Sequence, residues 1–112
     1  GLQFDPGFDG VQDLVLIDKD SRTVFGKFNN YFSGEKRWSK PDQTAISTAK
    51  IVSLDPFFGE ESDLVAQYCV ASRKKYVTID CMPESIINKN AAATVISNEF
   101  IRNNFPNEKI DN

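Results

Sequence analysis

Residues 50–80 read KIVSLDPFFGEESDLVAQYCVASRKKYVTID, and their pattern decides the fold. Two short runs rich in β-branched residues, IVSL at 51–54 and YVTI at 76–79, each stop on an aspartate, Asp55 and Asp80. Between them lie a loop bearing Pro56 and Gly59 and a segment of helical composition, SDLVAQYCVASRKK at 62–75. Strand, loop, helix and strand in that order make a βαβ unit; the crossover forces the strands parallel and is right-handed in nearly all cases. Ser62 is the expected N-cap of the helix, with Asp63 in its first turn and Arg73, Lys74 and Lys75 at its carboxyl end, where cations suit the helix dipole.

Downstream the pattern repeats. Pro83 suits the first turn of a short helix, PESIINK at 83–89; ATVIS at 93–97 reads as a third strand and NEFIRNNF at 98–105 as the opening of another helix. The expected fold class is α/β, a parallel Rossmann-like sheet with flanking helices, preceded by a β-hairpin. That hairpin comes from β-rich runs at 14–18 and 23–28 around the turn-forming DKDSR. Residues 1–11 have no period and read as irregular. Residues 29–41 read as a loop pinned to a core by Tyr31, Phe32 and Trp38, and residues 44–49 as a short helix. The expected organisation is one α/β domain or fragment, with a hairpin and loop region at 1–41 and a βαβ core at 42–112.

Composition bounds what such a chain does. Its 112 residues are 40% hydrophobic and 26% charged with a net charge of -3, the profile of an ordinary folded domain. An acidic balance disfavours non-specific binding to nucleic acid or to an anionic membrane. The longest apolar runs are far below the roughly 20 residues of a membrane span, and no charged-then-apolar leader opens the chain, so the expected location is cytoplasmic. With no histidine, and with only Cys69 and Cys81 as thiols, zinc sites and histidine-based triads are excluded. Cys69 falls mid-helix and Cys81 just past a strand; two reduced thiols are the expectation. The chain opens on Gly1 and its only methionine is Met82, which points to a cleaved tag or an excised piece of a longer protein.

The acids sit where chemistry is affordable. A buried strand can place a charge only where it ends, and in open α/β sheets ligands bind beyond the carboxyl ends of the strands. Asp55, Asp80 and Asn98 all fall at that edge. Aspartate at a strand-to-helix junction is also a common cap for the following turn. Capping is the leading reading for Asp55, while for Asp80 a cap and a ligand stand level. Glu60, Glu61 and Asp63 are explained by the dipole of a helix start. Met82, Phe57 and Phe58 are expected to anchor their loops against the sheet.

The order of VLIDKDSRTVFG (15–26), AKIVSLD (49–55), KKYVTIDCMPE (74–84) and ATVISNEF (93–100) resembles the middle of the ribokinase-like (PfkB) carbohydrate kinases over nearly the whole chain. The resemblance implies a central part of an ATP-dependent sugar or nucleoside kinase, with ATP and magnesium used by the complete enzyme and a sugar or nucleoside as substrate. It implies nucleotide-side roles for Asn98 and Glu99 and a strand-end position beside the nucleotide for Asp80. In the family's Asn-x-x-Glu motif, Asn98 is matched, but Ile101 stands at the glutamate position and Glu99 comes earlier. Ser21 replaces the usual turn glycine, and neither the Gly-Ala-Gly-Asp segment carrying the catalytic base nor the paired-glycine sugar-binding segment occurs. No catalytic residue and no metal ligand are therefore expected here, and the piece alone is expected to be inactive. The hairpin is expected to cover substrate and to pair two subunits into a homodimer. The alternative reading is a self-contained α/β binding or regulatory module, with Asp55 and Asp80 forming an acidic magnesium pocket.

Overall fold

The computed structural model describes residues 6, 7, 10, 12–19, 21–26, 34–36 and 38–107. They belong to two compact units, 1–39 and 40–112. Expectations for most of 1–11, for Phe28 and for the aromatics Tyr31 and Phe32 lie outside the described residues.

In the first unit, β1 (Asp13–Ile17) and β2 (Arg22–Gly26) form the antiparallel hairpin, with Val15 opposite Val24 at its centre. The Asp18 N–H donates to the Ser21 carbonyl at 2.9 Å, and the Asp18 carboxylate accepts from the Lys19 N–H at 2.6 Å, so the polar turn read from DKDSR closes on itself. Side chains alternate across the ribbon, which puts Leu14, Leu16 and Phe25 on one face and Val15, Ile17 and Val24 on the other. Both faces are exposed. Beyond the hairpin, Trp38 is half-buried, and the Lys36 ammonium lies 5.8 Å from its ring centre, a cation–π contact.

The second unit opens with α1 (Gln43–Thr48), capped by Asp42, whose carboxylate accepts from the Thr44 and Ala45 N–H groups. There follow β3 (Val52–Leu54), a single 3-10 turn (Pro56–Phe58) and α2 (Glu60–Ala71). Next come β4 (Tyr76–Ile79), α3 (Ile86–Asn90), β5 (Ala93–Val95) and α4 (Asn98–Asn104). The sheet order is β3-β4-β5, all parallel, in the register Val52↔Tyr76 and Val77↔Ala93. The coarse α/β expectation and the hairpin are thus present. No helix among the described residues is long and apolar enough to cross a membrane.

Three local readings are corrected. Ser62 does not cap α2: the helix starts earlier, with Gly59 at the cap, and Ser62 is buried inside its first turns. Gly59 takes φ 57°, ψ -121°, a backbone state that L side chains rarely adopt, so the glycine rather than a serine turns the chain into the helix. Arg73, Lys74 and Lys75 lie past the helix, which ends at Ala71. Arg73 itself takes φ 53°, its N–H donating to the Val70 carbonyl and the Lys74 N–H to the Cys69 carbonyl, the paired bonds of a Schellman ending. Pro83 stands in a turn before α3 rather than in its first turn; Ser85 is the cap, accepting from the Ile87 N–H.

The core is small. Ile46, Leu54, Ala66, Cys69, Tyr76, Cys81 and Ile87 pack together, with Val52, Val65, Tyr68 and Ala91 around them. The Tyr76 hydroxyl donates to the Ile87 carbonyl at 2.6 Å, which satisfies a buried phenol and ties β4 to α3. Thr78, equally buried, pairs its hydroxyl with the Cys81 thiol at 3.4 Å. Among the described residues every buried side-chain polar atom has a partner.

All of that core lies on one face of the sheet. The strand steps β3 to β4 to β5 run in one direction, and right-handed crossovers taken in one direction put their helices on one side. Accordingly α1 and α3 both pack on α2, and α2 packs on β3. The register sets Ser53, Val77 and Ala93 in one row of the opposite face and Ile79 with Val95 in the next. Ile79 is 41% and Val95 64% exposed, so no helix covers this row of the second face.

Candidate functional site at the carboxyl edge of the sheet

Three adjacent parallel strands deliver Asp55, Asp80 and the Ser97-Asn98 pair to one edge. At each strand end the polar residue arrives because an apolar run stops, and each is then put to a different use.

Asp55 serves its own loop. Its carboxylate accepts from the Phe57 N–H at 2.8 Å, which caps the 3-10 turn, and Pro56 presets the first turn position. Its carbonyl accepts from the Ser62 hydroxyl at 2.6 Å, and the Ser62 oxygen in turn accepts from the Phe58 N–H at 3.2 Å. The loop is therefore wired to the buried side of α2 by one serine. The leading cap reading of Asp55 agrees with this geometry. Of the two neighbouring phenylalanines expected to anchor the loop, Phe57 is 62% exposed and leaves its ring largely outside, while Phe58 is 36% exposed. Met82 stands 36% exposed.

Asp80 reaches across the sheet edge. One carboxylate oxygen accepts from the Ser97 N–H at 2.6 Å and the other from the Ser97 hydroxyl at 2.9 Å, a contact between residues seventeen apart in sequence. The Asp80 N–H donates to the Val95 carbonyl at 3.0 Å, so backbone and side chain both hold the end of β5. Asp80 takes φ 42°, in the left-handed region that aspartate tolerates better than most residues. Ser97 passes the restraint on: its oxygen accepts from the Phe100 N–H at 3.0 Å and caps α4.

Asn98 and Glu99 stand in the first turn of α4, exposed, one and two residues beyond the serine that Asp80 holds. Asn98 is thus the first helical residue rather than a strand end. Asp80 and the start of α4 are brought together; Asp55 keeps its bonds within its own loop. Sequence reading missed the two serines that organise the edge. Ser97 carried a signal, since a serine just before a helical run is a cap. Ser62 carried none, because its partner Asp55 precedes a turn whose length no periodicity reports.

The nearby thiols are structural. Cys69 and Cys81 are both free and buried, and burial pushes the Cys69 thiol up, which disfavours the thiolate. The Tyr76 phenol is pushed up mainly by burial and further by the two neighbouring cysteines. No three His, Cys, Asp or Glu side chains among the described residues are placed to hold a metal ion. With Asp55 and Asp80 both engaged in hydrogen bonds, these donors do not by themselves make a magnesium centre.

Compared with known proteins, the chain matches no family model, no curated protein and no solved structure.

Proposed function

We propose that this chain is the central part of an ATP-dependent sugar or nucleoside kinase of the ribokinase-like type, which transfers the γ-phosphoryl group to a substrate hydroxyl. The observation that carries the reading is the one-sided sheet. Parallel sheets occur almost only with both faces covered, and here the second face leaves Ile79 and Val95 exposed. A second helical layer of a larger doubly wound sheet is the natural cover. Right-handed crossovers supply it from strands stepping away from the free edge of β3, opposite to the steps seen here.

In such a sheet the ligand crevice opens at the carboxyl edge, where Asp55, Asp80 and Asn98 stand. The order of the four quoted sequence segments turns this general expectation into a kinase. What these residues contribute is shape: the Asp55 loop and the Asp80-braced start of α4 form part of the floor of the cleft. The catalytic base and the groups that stabilise the transferring phosphoryl belong to other segments. Within this reading the hairpin covers the substrate and pairs subunits, its two apolar faces being the support for that role.

The test is ADP release by the full-length natural chain, with magnesium and ATP, over a panel of sugars and nucleosides. Acceptor-dependent release is expected from the full chain and none from the 112 residues alone. Absence of release with every acceptor, together with magnesium binding by the 112 residues, would favour the self-contained module instead.

A further inference from the structure

The contact between Asp80 and Ser97 does more than end a strand. A cap serves the turn that follows it, but Asp80 gives both carboxylate oxygens to a residue on the neighbouring strand end, at 2.6 and 2.9 Å. It does so from a left-handed backbone state, φ 42°, although nothing in the Cys81-Met82-Pro83 turn uses its carboxylate. Ser97 is in turn the residue on which α4 begins, through its bond from the Phe100 N–H. The chain of contacts runs from the end of the central strand to the start of the helix that carries Asn98 and Glu99.

We propose that Asp80 is a positioning residue for the nucleotide side of the cleft: it holds Ser97, and through Ser97 it fixes where Asn98 and Glu99 leave the sheet, without itself touching the nucleotide. The proposal rests on the kinase reading above and gives Asp80 a definite part in it, that of a brace. Two features of the geometry favour a brace. Each oxygen already accepts a short hydrogen bond, and the residue it holds directly precedes the two side chains concerned.

The experiment compares Asp80→Ala, Asp80→Asn and Ser97→Ala in the full-length natural chain, reading the KM for MgATP, the KM for the acceptor and the affinity for MgADP. Asp80→Ala is expected to weaken both nucleotide readouts about tenfold while the acceptor KM moves less than about twofold. Asp80→Asn is expected to recover most of the loss, because its side-chain carbonyl still accepts from the Ser97 N–H. Adding Ser97→Ala to Asp80→Ala is expected to cost little more, as for two residues acting as a unit. Exchange of the Ser97 amide proton is expected to quicken in Asp80→Ala alone among the three. An Asp80→Ala chain that melts earlier yet keeps its nucleotide KM would overturn the positioning role and leave the kinase reading standing. Losses that add, with no recovery by asparagine, would make Asp80 a direct ligand and overturn it as well. A wild-type chain that binds no MgADP would overturn the kinase reading itself, and the positioning role with it.

Discussion

The two faces of the three-stranded sheet carry similar residues and meet opposite fates. On one face Leu54, Tyr76 and Thr78 are almost wholly buried; on the other Val77 is half-buried and Ile79 and Val95 are exposed. The difference does not come from hydrophobicity, since Ile79 and Val95 are as apolar as Leu54. It comes from connection: two crossovers taken in the same direction can only cover one side. An apolar residue in a parallel strand is therefore a statement about the complete sheet, not about the neighbours its own segment supplies.

The strongest way to break this contrast is a matched pair of truncations. Leu54→Ala is expected to cost about 2 to 5 kcal/mol, the range for emptying a packed aliphatic site, whereas Ile79→Ala is expected to stay within about 1 kcal/mol. Urea unfolding of the 112-residue chain followed by far-ultraviolet circular dichroism measures both; equal losses would mean that Ile79 is covered as well. Tyr76→Phe comes next. It removes the hydrogen bond from a buried hydroxyl to the Ile87 carbonyl and leaves that carbonyl without it, and the expected cost is about 1 to 3 kcal/mol in the same assay.

Gly59→Ala is expected to cost about 1 to 3 kcal/mol, although open space surrounds the site, because the penalty is backbone strain at φ 57° rather than crowding. A thermal melt checks it, and an unchanged midpoint would mean that the loop re-forms around the alanine. The mirror case is Arg73→Gly, at φ 53°, where relief of strain offsets the greater freedom of glycine in the unfolded chain; a gain of no more than about 1 kcal/mol is expected.

The smallest expected effect concerns pH. Cys69 and Tyr76 have folded-state pKa values raised above their ordinary 9.0 and 10.0, so folding favours their neutral forms. That contribution is fully present below the unfolded values and is lost as pH rises through the folded ones. The urea midpoint is expected to hold steady from pH 7 to about 9 and to fall above it, and Cys69→Ala is expected to make the early part of that fall shallower. A midpoint that fell equally in both chains would place the alkaline sensitivity elsewhere.

Much of the fold was legible because it depends on short-range pattern. The hairpin followed from alternating runs around DKDSR, and the βαβ order from strand-like and helical compositions that alternate at 50–104. Helix starts were read less well. Ser62 looked like a cap by residue type, but Gly59 and the Asp55 loop start α2 earlier, and the serine is used as an internal tether. Pro83 looked like a helix opener, but Ser85 took the cap. Both errors have one cause: a residue type says what a position can do, while the loop geometry decides which of two candidates is in register to do it.

The sequence by itself determined that this chain makes parallel strands ending in polar residues, that it lacks the histidines for zinc or triad chemistry, and that Asp55 belongs to a turn. Only the tertiary structure decided that Asp80 is held to Ser97, that α1, α2 and α3 share one face and that Ile79 and Val95 on the other are exposed. The physical reason is separation along the chain. A strand, a cap or a turn is selected by neighbours within a few residues, whereas a hydrogen bond across seventeen residues and the side on which a helix lands exist only once the crossovers have closed.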